Sequence, residues 1–260
     1  MSIVKYFDNF IIGECHQGQC KDGVQFGGKY ICDRLLIKPT HIVKNQLFNN
    51  IHNIEDNGYH FISNILSTHT KTMLIGGDHS LGISSVDAFL NLYNDELSVL
   101  WIDAHADIND HITSITGNIH GMSLGYHHLS RKDKPCWRNN PHKLKSSQLY
   151  YFGIRDLDPE ETKLIESDGI GYSTKIDENL YKFINNSKKL LISFDVDALD
   201  PKYMDSTGVI ADNGLSPDDV KHIIKYSIDF SKLVHLDLME FNPSIGNADK
   251  SFEALINIFL

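Results

Sequence analysis

No apolar run in this sequence reaches the roughly 18 residues that a membrane-spanning helix needs. Residues 1–10 lack a basic segment followed by a long apolar stretch, so no secretory signal is expected. No Arg precedes Arg34, unlike an Arg-rich transit peptide. Cysteine is scarce: Cys15, Cys20, Cys32 and Cys136 form no C-x-x-C pair, and a chain of this size needs no disulfide staples. Cys15 and Cys20 are spaced closely enough to share a metal, but reduced, inert thiols are the simpler expectation and fit a cytoplasmic location. Positive charge is short as well. With 24 Lys and Arg against 34 Asp and Glu, the formal net charge is -10, which argues against nucleic acid as a partner. The chain has no internal repeat, low-complexity tract or Pro/Gly/Ser-rich linker, so one domain over residues 1–260 is expected.

What is present is a globular composition, 41% hydrophobic over 260 residues, which excludes wholesale disorder. The 14 His beside 34 acidic residues form a pool of imidazole and carboxylate from which a metal site can be drawn. Short apolar runs at Thr72–Ile75, 98–102, Leu149–Phe152, 189–194 and 233–238 suit strands covered on both faces. Helical stretches separate them. Ser216 and Pro217 make a helix start, followed by Val220, Ile223, Ile224 and Ile228 at helical spacing, and Asp158-Pro159 opens another. The alternation predicts an α/β fold with a mainly parallel sheet. Residues 132–147, basic and aperiodic with Pro135 and Pro141, read as a loop.

The residues that follow these runs carry the chemistry. Asp78-His79, Asp103 to Asp107, Asp156 to Asp158, Asp195 to Asp197 and Glu240 would all reach the carboxyl edge of a parallel sheet, where ligands bind in open α/β folds. Asp103, His105 and Asp107 alternate with Ala, so in extended chain they would point to one side. Asp195 and Asp197 repeat the i, i+2 spacing, and His79 follows a Gly-Gly turn. Taken singly, such residues are ordinary caps and turn groups. Together they are four carboxylates and two imidazoles, whose mutual repulsion two divalent cations would relieve. Oxygen-rich ligation with some imidazole favours two Mn²⁺ ions, and a metal pair roughly 3.5–4 Å apart generates a strong nucleophile from water.

With these motifs, Gly76-Gly77-Asp78-His79-Ser80, Asp103-Ala104-His105-Ala106-Asp107 and Ser193-Phe194-Asp195-Val196-Asp197, the chain resembles the arginase, or ureohydrolase, family. The segment from Gly23 to Gly27 and the run from Met239 to Pro243 extend the resemblance over nearly the whole chain. It implies a three-layer α/β/α fold, a dinuclear manganese site held by His79, Asp103, His105, Asp107, Asp195 and Asp197, and hydrolysis of a guanidino group, with homotrimers or homohexamers as the expected assembly. The loop 109–121 is similar to that of arginases. There, groups at the positions of Asn109, Ser114 and Thr116, with Asn118 beside them, meet the substrate carboxylate. The resemblance assigns His120 to proton shuttling, Asp158 to the substrate ammonium with Glu161 one helical turn later, and Glu240 to the guanidinium. Asp237 is expected to support the metal ligands or a core hydrogen bond. L-arginine is therefore the expected substrate, with L-ornithine and urea as products and Asp107 accepting or orienting the nucleophile's proton. The alternatives are agmatine or another guanidino acid, or an inactive regulatory homologue, which would have lost a ligand. Two departures stand out: 206–212 lacks the family's Thr-Gly-Thr-Pro, having Val209 and Ile210 there, and Gly27-Gly28 replaces Gly-Pro.

Overall fold

The computed structural model describes residues 2–48, 57–68, 71–128, 130, 141–230 and 232–260. Eight parallel strands form one sheet in the order β2-β1-β3-β8-β7-β4-β5-β6. They are β1 (Asn9–Gly13), β2 (His41–Val43), β3 (Thr72–Ile75), β4 (Leu97–Ile102), β5 (Leu149–Phe152), β6 (Gly171–Ser173), β7 (Lys189–Asp195) and β8 (Leu233–Met239). The apolar runs read from sequence correspond to β3, β4, β5, β7 and β8, each within one residue at its ends.

Both faces are covered, which is why these runs are apolar throughout rather than alternating. Met73 and Ile75 of β3, Leu100 and Ile102 of β4 and Ile192 of β7 pack into one core with helices α1 (Gly27–Leu35), α5 (Glu178–Asn186), α6 (Pro217–Asp229) and α7 (Ala248–Phe259). Their neighbours Leu74, Val99, Trp101 and Leu191 point the other way, into a core with α2 (Gly58–Leu66), α3 (Gly82–Tyr93) and α4 (Pro159–Asp168). The result is the three-layer α/β/α arrangement expected from the resemblance.

The two predicted helix starts form as their chemistry dictates. At α6, Ser216 Oγ accepts the N–H of Asp219 at 3.1 Å while the Asp219 carboxylate accepts the N–H of Ser216 at 3.2 Å, with Pro217 at the first helical position. At α4, Glu161 Oε2 accepts the N–H of Asp158 at 3.1 Å. Of the loop expected over 132–147, residues 132–140, Cys136 among them, lie outside the described residues.

Candidate functional site

Because every strand runs the same way, the segments after β3, β4, β5, β7 and β8 meet at one sheet edge. His79 is delivered by a turn in which Gly76 and Gly77 hold φ of +83° and +84°. That left-handed backbone suits glycine, and the Gly76 N–H is anchored to Leu238 O at 2.8 Å. The D-x-H-x-D segment does not continue β4, which stops at Ile102. The expected extended run is instead a bend: Asp103 Oδ1 accepts the N–H of His105 at 2.7 Å, and Asp107 lies in the left-handed region at φ +49°. Asp195 closes β7, and its Oδ1 accepts the N–H of Asp197 at 2.8 Å, so it caps a short 3₁₀ turn while its other oxygen faces the cluster. The imidazoles and carboxylates thus converge, but by turn chemistry rather than by strand periodicity.

The cluster has two overlapping groups. His79 Nδ1 lies 2.9 Å from Asp103 Oδ2 and 3.1 Å from both Asp107 Oδ2 and Asp195 Oδ2. His105 Nδ1 lies 3.4 Å from Asp103 Oδ1 and 3.1 Å from Asp197 Oδ2. Asp103 therefore faces both imidazoles with different oxygens. His79 Nδ1 is buried and no carboxylate takes up hydrogen-bond geometry with it. A buried nitrogen of this kind, ringed by acid, fits a cation better than a proton, and the donor set fits two.

Electrostatics in the metal-free cluster are severe. Burial and the Asp197 and Asp103 charges push Asp195 well above the usual carboxylate range. Burial and Asp103 raise Asp107 and take Asp197 to about 6. Burial also acts to raise Asp103, but the facing His105 and His79 imidazoles outweigh it and hold that carboxyl low. Both imidazoles resist burial's downward pull because the surrounding carboxylates favour their charged forms.

Above the cluster opens a cavity of about 230 Å³. His105, Asp107, Asp195 and Asp197 form its floor, and Asn109, Ser114, Thr116, Asn118, His120, Asp158, Glu161 and Glu240 line its sides. His79 and Asp103 do not reach it; they lie fully buried below. Asn109 Nδ2 donates to Asp158 Oδ2 at 2.9 Å, joining the loop to the start of α4. Ser114 Oγ and Thr116 Oγ1 each accept a backbone N–H of their own loop, from Gly117 and Asn118, so loop geometry and an outward hydroxyl coexist. Glu161 bridges the N–H groups of Asp158 and Ile108, and burial lifts its carboxyl to about 7. Glu240, in the left-handed region at φ +66°, accepts the His79 N–H at 2.8 Å and faces His120 Nδ1 at 3.0 Å with the same oxygen. Two left-handed acidic residues at one cavity mark backbone strain concentrated at the site.

Several residues given no role from sequence belong to this arrangement. Gln19 Nε2 donates to Glu240 Oε2 at 2.5 Å. Trp101 stacks on His79, with ring centroids 4.1 Å apart, and its Nε1 donates to Asp103 Oδ2 at 2.9 Å. Asp156 lies 3.7 Å from His105 Nε2. Arg155 donates to the carbonyls of Asp197, Ala211 and Asp212, clamping the 195–212 turns. Only the position of Trp101 two residues before Asp103 hinted at such support. Val209, the departure from the family pattern, lines the cavity itself. Cys15 is buried against the hydroxyls of Tyr59 and Ser80, and burial pushes its thiol well up, as expected for an inert cysteine.

The Arginase family model matches residues 13–260, and the chain belongs to that family. An arginase of Plasmodium berghei is 35% identical over 78% of this chain, which spans 63% of that protein's length. Arginase of Entamoeba histolytica, solved with L-ornithine, superposes with a TM-score of 0.81 at 23% identity, covering 96% of this chain and 97% of the other. A formimidoylglutamase of Bacillus subtilis shares the fold too, with a TM-score of 0.75 at 17% identity over 96% of this chain and 84% of the other. Among the described residues no helix is long and apolar enough to cross a membrane.

Proposed function

We propose that this member of the arginase family hydrolyses the guanidinium group of L-arginine to L-ornithine and urea, with two Mn²⁺ ions that His79, Asp103, His105, Asp107, Asp195 and Asp197 would hold. The observation that carries the reading is the shared cavity. Asn109, Ser114, Thr116 and Asn118 line it together with Asp158, directly above the carboxylate cluster. Bound there, the ions would supply Lewis acidity and lower the pKa of water toward neutrality.

The chain's own groups would do the rest. Glu240 is already fixed by the His79 N–H, His120 and Gln19, so its carboxylate is preorganised for a planar cation. One Asn109 amide hydrogen is spent on Asp158, and the second, with Ser114 and Thr116, offers neutral donors to a substrate carboxylate. Asp158 meets the α-ammonium with Glu161 behind it. Asp107, raised by burial and Asp103, accepts the proton of the attacking water. His120 has its Nδ1 on Glu240 and its pKa lifted to about 9 by that contact against burial, so it stands protonated near neutrality and can donate to the leaving amine from Nε2.

A second reading, another guanidino substrate, draws on Val209, an apolar side chain where the family has a hydroxyl and exposed to whatever fills the cavity. Urea release by Mn²⁺-loaded protein from arginine, agmatine and longer or shorter guanidino acids separates the two, with Asp107→Asn as control. Preference for arginine supports the proposal, and a clear agmatine preference defeats it. Urea from none of the panel favours a non-catalytic homologue. A cytoplasmic homotrimer or homohexamer is proposed with it.

A further inference from the structure

Below the cluster, on the side away from the cavity, a chain of polar side chains runs through a part of the protein that is otherwise apolar. His79 Nε2 lies 2.9 Å from Ser193 Oγ. Ser193 Oγ donates to Asp237 Oδ2 at 2.8 Å. Asp237 Oδ1 accepts from Ser85 Oγ at 2.7 Å and faces His235 Nε2 at 2.7 Å. His235 Nδ1 in turn lies 2.6 Å from Thr72 Oγ1. Ser85, Ser193, His235, Asp237 and Thr72 are all 0% exposed. Placing an acid, an imidazole and three hydroxyls in a dry interior costs several kcal/mol unless every group is satisfied, and here the pattern satisfies them.

The directions in this chain are determined by donor and acceptor capacity. A carboxylate can only accept, so the hydrogens of Ser193, Ser85 and His235 Nε2 all point at Asp237. A serine hydroxyl has one hydrogen. Once Ser193 has given it to Asp237, Ser193 can only accept from His79, so His79 must carry a hydrogen on Nε2. In the neutral ring its Nδ1, the atom ringed by Asp103, Asp107 and Asp195, then presents a lone pair to the cluster. Stacking on Trp101 fixes the plane of the ring in the same orientation.

We propose that Asp237, acting through Ser193, is a positioning residue that locks the tautomer and orientation of His79, so that Nδ1 is ready to bind a divalent cation. The inference rests on the proposal that the cluster holds such ions, and it goes further by assigning a function to Asp237, which touches neither the cavity nor the other ligands. Asp237→Asn keeps the shape but can turn its NH₂ toward Ser193. That reverses the serine hydrogen toward His79 Nε2 and drives the imidazole hydrogen onto Nδ1, where it opposes metal binding. Ser193→Ala removes the acceptor without reversing it.

The test is equilibrium dialysis of metal-free wild type, Ser193→Ala and Asp237→Asn against Mn²⁺, with melting curves recorded with and without the metal. The expected result is that wild type binds two equivalents, while each variant binds one of the two ten- to hundredfold more weakly, with Asp237→Asn the worse. The metal-induced rise in melting temperature shrinks in step. In Co²⁺-loaded wild type, a slowly exchanging, hyperfine-shifted imidazole N–H signal from His79 is expected, and it is lost in Ser193→Ala. A role confined to packing would lower the melting temperature of the metal-free variants and leave both affinities and the metal-induced rise at wild-type values; that result overturns the proposal. Should Asp237→Asn not fold, Ser193→Ala decides alone, because Asp237 keeps Ser85 and His235 in that variant. Wild type that binds no Mn²⁺ defeats the metal reading itself, whereas two tight equivalents in wild type and variants alike defeat only this inference.

Discussion

Glu240 and His120 face one another at 3.0 Å, and the oxygen that meets the imidazole also accepts the backbone N–H of His79. One carboxylate thus ties the proposed proton carrier to the turn that delivers a proposed metal ligand. Both partners respond to the contact: against burial, His120 rises to about 9 and Glu240 is held below the usual carboxylate range.

The pair predicts a pH-dependent stability. His120 binds its proton more tightly when folded than the ordinary imidazole value of about 6.5, so its contribution is complete below about pH 6.5 and is lost as pH rises through about 9. The shift corresponds to at most about 3 kcal/mol. Urea melts of the metal-free protein between pH 6 and 10 should show this loss, and His120→Asn should flatten it. Equal pH slopes in wild type and variant would contradict the assignment.

Asp103 faces both imidazoles, whereas Asp197 faces only His105. We therefore expect Asp103→Asn to bind almost no Mn²⁺ and Asp197→Asn to keep about one equivalent, measured by metal analysis after gel filtration. Identical stoichiometry in the two variants would argue against a shared bridging carboxylate.

Asp158 stands at the N-cap of α4 and also accepts from Asn109 in the cavity wall. Asp158→Asn keeps a good capping residue, so the melting temperature should change little. Loss of a charge-assisted contact to the substrate ammonium, about 1.5–3 kcal/mol, should cut kcat/KM for arginine roughly 10- to 150-fold while sparing the arginine analogue that keeps the carboxylate but lacks the α-amino group. An equal fall for both substrates would place Asp158 outside substrate recognition.

Gly28 stands where the family usually has Pro. A Cβ there would sit 2.5 Å from the carbonyl oxygen of Ile75, at the point where the start of α1 crosses the end of β3. Gly28→Ala should destabilise by about 1–3 kcal/mol, seen in urea melts, with a matching fall in metal affinity because Ile75 leads into the His79 turn. An unchanged midpoint would show that the helix can shift without cost.

The strands that could be read from sequence are those buried on both faces, since continuous runs such as Met73–Leu74–Ile75 leave few alternatives. β1, β2 and β6 escaped notice because two of them are only three residues long and all three lie in the outer part of the sheet. The acidic and imidazole groups of the cluster were visible because their spacing is local. Their convergence was anticipated for the wrong reason: Asp107 reaches the cluster through a left-handed bend that side-chain alternation does not foresee. Gln19 and Arg155 contribute through distances across the fold, which no short-range pattern encodes.

The sheet order also has a consequence for how the chain comes together during synthesis. β3 and β4 are successive in the chain, yet β8 and β7 stand between them. When the ribosome has made the first 188 residues, the two halves of the sheet exist as separate groups of strands with no hydrogen bonds to join them, and His79 and Asp103 have no fixed relation. Emergence of the remaining 189–260 segment inserts the middle strands, unites the halves and brings Asp195, Asp197 and Glu240 to residues made long before. Such late closure of distant contacts is slow and leaves open strand edges in the interim.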